Sequence, residues 1–434
     1  MSVNSTMRGL SLFVVWCIHV VWCTHAVAAQ NSSSAAITIE QAVSEAIQNN
    51  PGLLAERLGI TVAETSAITA GLRPNPVLSY STSYLDWLGT RANPGNNASP
   101  VETALRVDLP IERGHKRDLR LENAGFGKTI AEARLADSTR RLRLDVTLAC
   151  IDVLEAKARL ALVNDNLQSL DGIVRLNQTR LTGGAIAPVE LTRSRVAMLQ
   201  FRANVKTAEL ALATARTKLQ TLLGRSRGAD LVDVAGEMKV PLPAQPVDLR
   251  EIRATALSLR PDVQAVRLDQ ARSQAELRLQ LAQGKIDYSV GMEYRRQQGV
   301  NGHGNSLGLF FSAPLPVYNR NQGEIARVQR TQVQIRKSLD ALESQINGEV
   351  ATAYQEFETA RQLVAEIERD LLQPSEDART TTAYVYQAGA SSLTDVLDAQ
   401  RAFNETMSAY YGAQAAYRRA AVQLSSVVGQ EVIP

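Results

Sequence analysis

Leu78-Ser79-Tyr80-Ser81-Thr82-Ser83-Tyr84 sets larger side chains against serines at every second position, and Tyr288-Ser289-Val290-Gly291-Met292-Glu293-Tyr294 alternates again 210 residues later, there against Ser289, Gly291 and Glu293. A period of two is the signature of a β-strand with two unlike faces. Each run has a partner: Leu105, Val107 and Leu109 alternate with Arg106 and Asp108, and Leu307, Leu309 and Phe311 alternate with Gly308 and Ser312. The patterns predict strands at 77–88, 103–110, 287–296 and 305–314. At about ten residues, each is long enough to cross a bilayer when tilted. An apolar face backed by a small or charged one suits a barrel with a wet lumen. Tyr84, Trp87 and Tyr294 fall near strand ends, where an aromatic girdle belongs. The polar stretches 89–101 and 297–305 read as outward loops. The edge of a soluble β-sandwich would show the same period, and four strands cannot close a barrel. A barrel therefore requires several chains, each donating four strands.

The echo runs along the chain. Asn50-Pro51 recurs as Arg260-Pro261, Pro110-Ile111 as Pro316-Val317, Gly184-Ala185 as Gly389-Ala390, and Leu222-Leu223-Gly224 as Val427-Val428-Gly429. An ordered series of this kind marks an internal duplication. It divides the chain into a first repeat at 30–227, an irregular connection at 228–248 holding Pro241, Pro243 and Pro246, and a second repeat at 249–434. Each repeat reads as helix, strand, loop, strand, long helix, turn, long helix.

The helices carry most of the mass. No proline interrupts 118–181, and Leu160, Val163, Leu167, Leu170, Val174 and Leu181 keep 3-4 spacing with Asn177 in the slot between. Leu339, Leu342, Ile346, Val350, Ala353, Phe357, Ala360, Val364, Ile367 and Leu371 predict one seam of the second repeat, and Phe403, Met407, Tyr410, Tyr417, Leu424 and Val428 another. Such seams are coiled-coil packing. The predicted helical hairpins cover 118–224 and 323–429, each turning at a glycine.

The first 29 residues read as a secretory signal peptide: Arg8, an apolar run over 10–21, then Ala26-Val27-Ala28-Ala29. Val20-Val21-Trp22 is a poor lipidation context for Cys23. The 434 residues carry 47 Lys+Arg against 44 Asp+Glu, a balance that argues against a nucleic-acid binder. After removal of the leader, His115, His303 and Cys150 are the only His and Cys left, so neither a disulfide framework nor a His- or Cys-ligated metal is expected. No phosphate loop, dinucleotide fingerprint, HExxH or CxxC is present. The expectation is no catalytic residue and no cofactor. Cys150, on an apolar helix face, reads as a buried thiol.

The leader, the duplication, the two strand pairs and the two long hairpins together resemble the TolC family of outer-membrane factors. The most specific stretches are Ala388-Gly389-Ala390-Ser391-Ser392-Leu393-Thr394-Asp395-Val396-Leu397-Asp398 and the turn Pro314-Leu315-Pro316-Val317-Tyr318-Asn319-Arg320-Asn321-Gln322-Gly323. The second of these, with Pro110-Ile111-Glu112-Arg113-Gly114-His115-Lys116-Arg117, is most similar to the outer-membrane components of cobalt-zinc-cadmium-type efflux systems. The resemblance implies a mainly α fold with a membrane β-barrel portion. The implied assembly is a homotrimer with a 12-stranded barrel in the outer membrane of a Gram-negative bacterium and a 12-helix periplasmic tunnel. It also implies a periplasmic adaptor and a resistance-nodulation-division pump as partners, and passive export of heavy-metal cations, with drugs, solvents or a secreted polypeptide as alternative cargo.

Residue by residue, Asp395 and Asp398 match an acidic ring at the periplasmic aperture. Asp395 can equally cap the helix that starts after Ser392. Glu190 and Tyr386 match a latch between helices, with Ser391 standing where an arginine completes it in other members. Arg180, Leu181, Thr182, Gly183 and Gly184, with Gln387, Ala388 and Gly389, match the hairpin tips that engage adaptors. The rival from another class is a periplasmic coiled-coil adaptor or scaffold, which would carry one hairpin rather than two.

Overall fold

The computed structural model describes residues 36–85, 101–225, 231–242, 248–299 and 302–432. The leader, Cys23, Trp87 and nearly all of the stretch 89–101 lie outside the described residues. The chain is mainly helical with one small antiparallel sheet. Element order repeats. The first series is α1 (Ile39–Asn49), α2 (Pro51–Gly71), β1 (Val77–Ser83), β2 (Glu102–Ile111), α3 (Lys116–Thr182) and α4 (Pro188–Leu222). The second is α5 (Leu249–Leu259), α6 (Pro261–Gln283), β3 (Tyr288–Gly299), β4 (Gly302–Ser312), α7 (Gln322–Asp370), α8 (Leu372–Gln387) and α9 (Leu393–Val428).

Matching positions are built alike. Asn50 and Arg260 each end one helix, and Pro51 and Pro261 occupy the first position of the next, where a missing N–H costs nothing. Asn50 Nδ2 donates to Leu222 O at 2.9 Å, and Arg260 Nη1 to Val427 O at 3.4 Å, so both repeats tie this corner to the end of their last helix. His115 and Asn321, the N-caps of α3 and α7, are both left-handed, with φ of 56° and 64°.

The four strands form one sheet in the order β1-β2-β3-β4. On one face the rungs are Ile111/Tyr288, Leu109/Val290/Phe311, Leu78/Val107/Met292/Leu309 and Tyr80/Leu105/Tyr294/Leu307, followed by the polar rung Thr82/Thr103/Arg296/Asn305. Six residues separate Ile111 from Leu105, so the apolar band is about 20 Å long along the strand. It is largely bare, with Leu309 80% and Phe311 68% exposed. The other face carries Ser79, Ser81, Glu102, Arg106, Asp108, Glu293, Arg295 and Gly308. No helix among the described residues is long and apolar enough to cross a membrane.

Helices extend the sheet's order. α2 packs on α3, α3 on α6 and α6 on α7, which places each beside the helix that continues its neighbouring strand. Farther along, α3 pairs with α4 and α9, and α9 with α7 and α8. At ~1.5 Å per residue the 67-residue α3 is roughly 100 Å long. Two apolar clusters hold this level: Val146, Ile151 and Leu219 with Val232 and Val234, and Ile346, Val350, Phe357 and Leu424 with Ile252. Segment 231–242 is irregular but anchored, since Asp233 takes ion pairs from Lys157 and Arg216, each at 3.0 Å.

Three expectations need correction. The described residues of the stretch 297–305 are strand rather than loop: β3 continues to Gly299 and β4 begins at Gly302, which has φ 110°. Polar residues are tolerated there because the ladder satisfies the backbone, and His303 pairs with Gln298 as a strand residue. The first strand ends at Ser83, because Tyr84 adopts φ 59° and leaves the ladder. The seam through Leu371 is broken: α7 stops at Asp370 and Leu371 is 52% exposed. Pro374 is the cause, since its ring clashes with the carbonyl four residues back, at Asp370. In α3 the buried stripe is Leu162, Asn166, Leu170 and Asn177, with Leu160, Val163 and Leu167 half-buried beside it.

Candidate channel mouth and membrane face

The tips of the two helical hairpins are the first candidate site. Helix α3 ends in a left-handed Gly184 (φ 70°), with Ala185 N–H donating to Arg180 O at 2.8 Å. Helix α8 ends in the same way at Gly389 (φ 81°), with Ala390 N–H donating to Val385 O at 3.0 Å. Thr182 Oγ1 donates back to Thr179 O at 2.8 Å, within its own turn. Leu181, Gly183, Gln387 and Ala388 complete the two turns, and all but the half-buried Leu181 are exposed.

The tips are joined. Arg180 Nη2 donates to Tyr386 O at 3.0 Å and Gln387 O at 3.1 Å, capping the last carbonyls of α8, and its guanidinium stacks 5.0 Å from the Tyr386 ring. The Tyr386 hydroxyl donates to Asn177 Oδ1 at 2.6 Å in a fully buried contact. Asn177 Nδ2 is buried without a partner. The structure thus brings Tyr386 to Asn177 and Arg180, and does not bring it to Glu190 or Ser391. Glu190 lies in the first turn of α4, and its carboxylate makes no hydrogen bond or ion pair among the described residues. Sequence reasoning placed Arg180 only at a tip and Asn177 only in a seam. The readable signal was an amide in an apolar stripe one turn from the tip.

Ser391 serves the start of α9. Ser392 Oγ accepts from Asp395 N–H at 3.2 Å, Asp395 Oδ2 accepts from Ser392 N–H at 3.0 Å, and Ser391 Oγ donates to the same oxygen at 3.1 Å. This is a reciprocal capping box, with Asp in the fourth position. The Ser392 backbone N–H, then the two serine hydroxyls, hold the Asp395 carboxyl below its ordinary range. Asp398, one turn on, is exposed and bonds Arg401 at 2.9 Å.

Between tip and core, an amide cluster replaces apolar packing. Gln400 Nε2 donates to Asn166 Oδ1 at 2.6 Å, and Asn166 Nδ2 donates to Asn404 Oδ1, tying α3 to α9.

The sheet is the second candidate site. On its polar face Arg106 bonds Asp108 at 2.7 Å, and Arg295 bonds both Glu102 and Glu293 at 2.8 Å. At the helix-proximal end of the sheet, Glu112 accepts from Arg120 at 2.5 Å, and this guanidinium holds its carboxyl below the usual range. Among the described residues, both outer strands, β1 and β4, have one unpaired edge.

A four-stranded sheet with a bare apolar face, set on helices that continue its strands, defines the architecture of an outer-membrane channel protomer. The family described as Outer membrane efflux protein matches residues 42–225 and 252–430. The chain belongs to that family, whose members are channels rather than enzymes. Among characterised relatives, it is 24% identical over 398 residues to the cobalt-zinc-cadmium resistance protein CzcC of Cupriavidus metallidurans, covering 92% of this chain and 91% of that protein. It is 23% identical to nodulation protein T of Rhizobium leguminosarum bv. trifolii, over 91% of this chain and 85% of the relative. Among solved structures, CusC superposes with a TM-score of 0.72 at 18% identity, over 91% of this chain and 92% of that one. The open MtrE channel of Neisseria gonorrhoeae superposes with a TM-score of 0.71 at 15% identity, over 91% and 89%.

Proposed function

We propose that the chain is one protomer of a homotrimeric exit duct in the outer membrane, fed through its periplasmic end by an adaptor and an inner-membrane pump. The observation that carries this reading is the sheet with an apolar outer face and two unpaired edges. A lipid-exposed sheet edge leaves backbone groups unsatisfied, at several kcal/mol each, so such a sheet must close. Three copies, pairing β4 of each with β1 of the next, give twelve strands. The helix row closes in step, α7 of one copy meeting α2 of the next, whose exposed Leu58, Val62 and Leu72 then find cover. The polar face becomes the lumen lining. Tyr80 and Tyr294 sit at the distal margin of the apolar band and Tyr288 at the proximal one, as an aromatic girdle requires.

In this reading the protein performs no chemistry. Asp395 and Asp398, on one face of α9, gather as six carboxylates at the periplasmic aperture, which draws cations and narrows the path. Neither is free within the chain: Asp395 Oδ2 caps the helix, and Asp398 pairs with Arg401. Tyr386, Asn177 and Arg180 hold the tip of each protomer closed, with Glu190 facing a neighbour. The turns at 180–184 and 387–389 are the surfaces an adaptor meets.

Heavy-metal cations are the proposed cargo, supported by the full-length likeness to CzcC. The test is tolerance to cobalt, zinc and cadmium in the native host with the gene deleted and then restored. Metal sensitivity that only the intact gene rescues supports this cargo. Sensitivity to drugs or solvents instead, with unchanged metal tolerance, reassigns the cargo and leaves the duct standing.

A further inference from the structure

Two glycines on the polar face of the sheet lie under side chains that would otherwise stand away from it. Asp108, Gly291 and Phe310 share one rung, and Arg106, Glu293 and Gly308 share the next. A Cβ at Gly291 would come 2.3 Å from Asp108 Oδ1 and 3.2 Å from Arg106 Nε. A Cβ at Gly308 would come 2.9 Å from Phe310 Cε2. The Asp108 carboxylate therefore lies flat over Gly291, and the Phe310 ring over Gly308. Arg106 lies between them, bonded to Asp108 through Nε at 3.0 Å and Nη2 at 2.7 Å, with its guanidinium 4.1 Å from the Phe310 centroid. Cation–π stacking and a two-point ion pair hold that guanidinium parallel to the sheet. Neither glycine has a left-handed φ, so neither serves a turn. What each supplies is the absence of a side chain.

We infer that Gly291 and Gly308 form a flattened collar with Arg106, Asp108 and Phe310 on the lumen wall, which keeps the bore of the barrel wide at this level and matches the Asp108 charge with Arg106. This rests on the lumen reading of the polar face and names the residues that set passage through it. Other charges on this face do not balance: Glu293, on the Arg106 rung, and Glu102, two rungs farther toward the hairpin turns, share the single cation Arg295, which leaves an acidic excess in each protomer. Cation preference in the barrel then originates with Glu102 and Glu293, while Asp108 stays masked by Arg106. A side chain at either glycine lifts Asp108 or the Phe310–Arg106 stack into the bore, and loss of Arg106 unmasks Asp108 in each copy.

The test uses cysteines placed on the same face. Ser289 is one rung from the collar toward the helices, and Ser81 is one rung from Arg106 on the side of the hairpin turns. Cys150 does not compete for reagent: it is fully buried, and burial pushes its thiol up to about 12. Maleimide-polyethylene glycols of graded size are applied to intact cells. Ser289→Cys is expected to label with large reagents in the parent, and only with small ones after Gly308→Leu or Gly291→Leu, while Ser81→Cys labels alike throughout. An unchanged size limit in variants that reach the outer membrane overturns the collar and leaves the lumen reading intact. Failure of Ser81→Cys to label in the parent overturns the lumen reading and the collar together.

If the glycine variants do not assemble, Arg106→Ala carries the test in purified, reconstituted protein. It is expected to raise the labelling of Ser289→Cys by a cationic over an anionic methanethiosulfonate by roughly threefold, an effect that shrinks with added salt. An unchanged ratio overturns the proposal.

Discussion

The phenol of Tyr386 on α8 donates a 2.6 Å hydrogen bond to Asn177 Oδ1 on α3, and both side chains are buried. One bond thus fastens the two helical hairpins at their tips, with Arg180 clamped over it. Removing the hydroxyl strands an amide that is already unpartnered at Nδ2. Tyr386→Phe should therefore loosen the tip by about 1–3 kcal/mol. Hydrogen exchange should quicken across 372–387 and leave the helix around Phe357 unchanged. A uniform change along α7 would argue against a local clasp.

The capping box of α9 has a signed dependence on pH. The folded-state pKa of Asp395 lies below its ordinary value, so its contribution is complete above the unfolded carboxyl's pKa and is lost as pH falls through the lower, folded one. Asp395→Asn should speed exchange over 393–397 at neutral pH relative to the parent. The two proteins should converge in acid, below the ordinary aspartate range. Ser392→Ala should cost about 1 kcal/mol at the same helix start at neutral pH, because the Asp395 N–H loses its acceptor.

The amide cluster of α3 and α9 predicts non-additivity. Gln400→Leu alone leaves Asn166 short of a partner in a buried seam, and a loss of about 1–3 kcal/mol is expected. Asn166→Leu with Gln400→Leu replaces the pair by apolar packing and should recover most of that loss. Chemical denaturation of the parent, both singles and the double gives the coupling directly. Additive losses would mean that the two amides do not depend on each other.

Two glycines at equivalent helix ends separate strain from space. Gly224 and Gly429 have φ of 72° and 88°, so alanine at either pays the left-handed penalty of about 1–2 kcal/mol. At Gly224 the new Cβ would also come 2.3 Å from Asn49 O, whereas at Gly429 the nearest atoms are 3.7 Å away. Gly224→Ala should be clearly the more destabilising of the two, as read by thermal midpoints.

The fold was legible because its signals are local. Period two at 78–84 and 288–294 reports strands, and the apolar spacing at 346–367 reports the seam that buries Ile346, Val350, Phe357 and Val364. The break at Leu371 was also written in the sequence, as Pro374, but the regular seam on either side masked it. The polar stretch at 297–305 misled because composition reports exposure, and an exposed strand is as polar as a loop. At the candidate site, the residue types were visible and the partners were not. Asp395 stands where both a cap and an acidic ring are sensible, and only the bonds to Ser391 and Ser392 show which it makes within the chain. Tyr386 and Asn177 lie 209 positions apart, so no local pattern could pair them. The glycines of the collar look like ordinary strand interruptions until the register sets them beside Asp108 and Phe310.

Single-channel conductance of the purified protein in planar bilayers, wild type beside the Asp395→Ala/Asp398→Ala double variant, tests the exit-duct reading most directly. The account predicts a small, cation-selective conductance that becomes larger or less selective in the variant. No conductance from either protein, with both shown to be folded and assembled, would contradict a duct closed by three copies of this sheet.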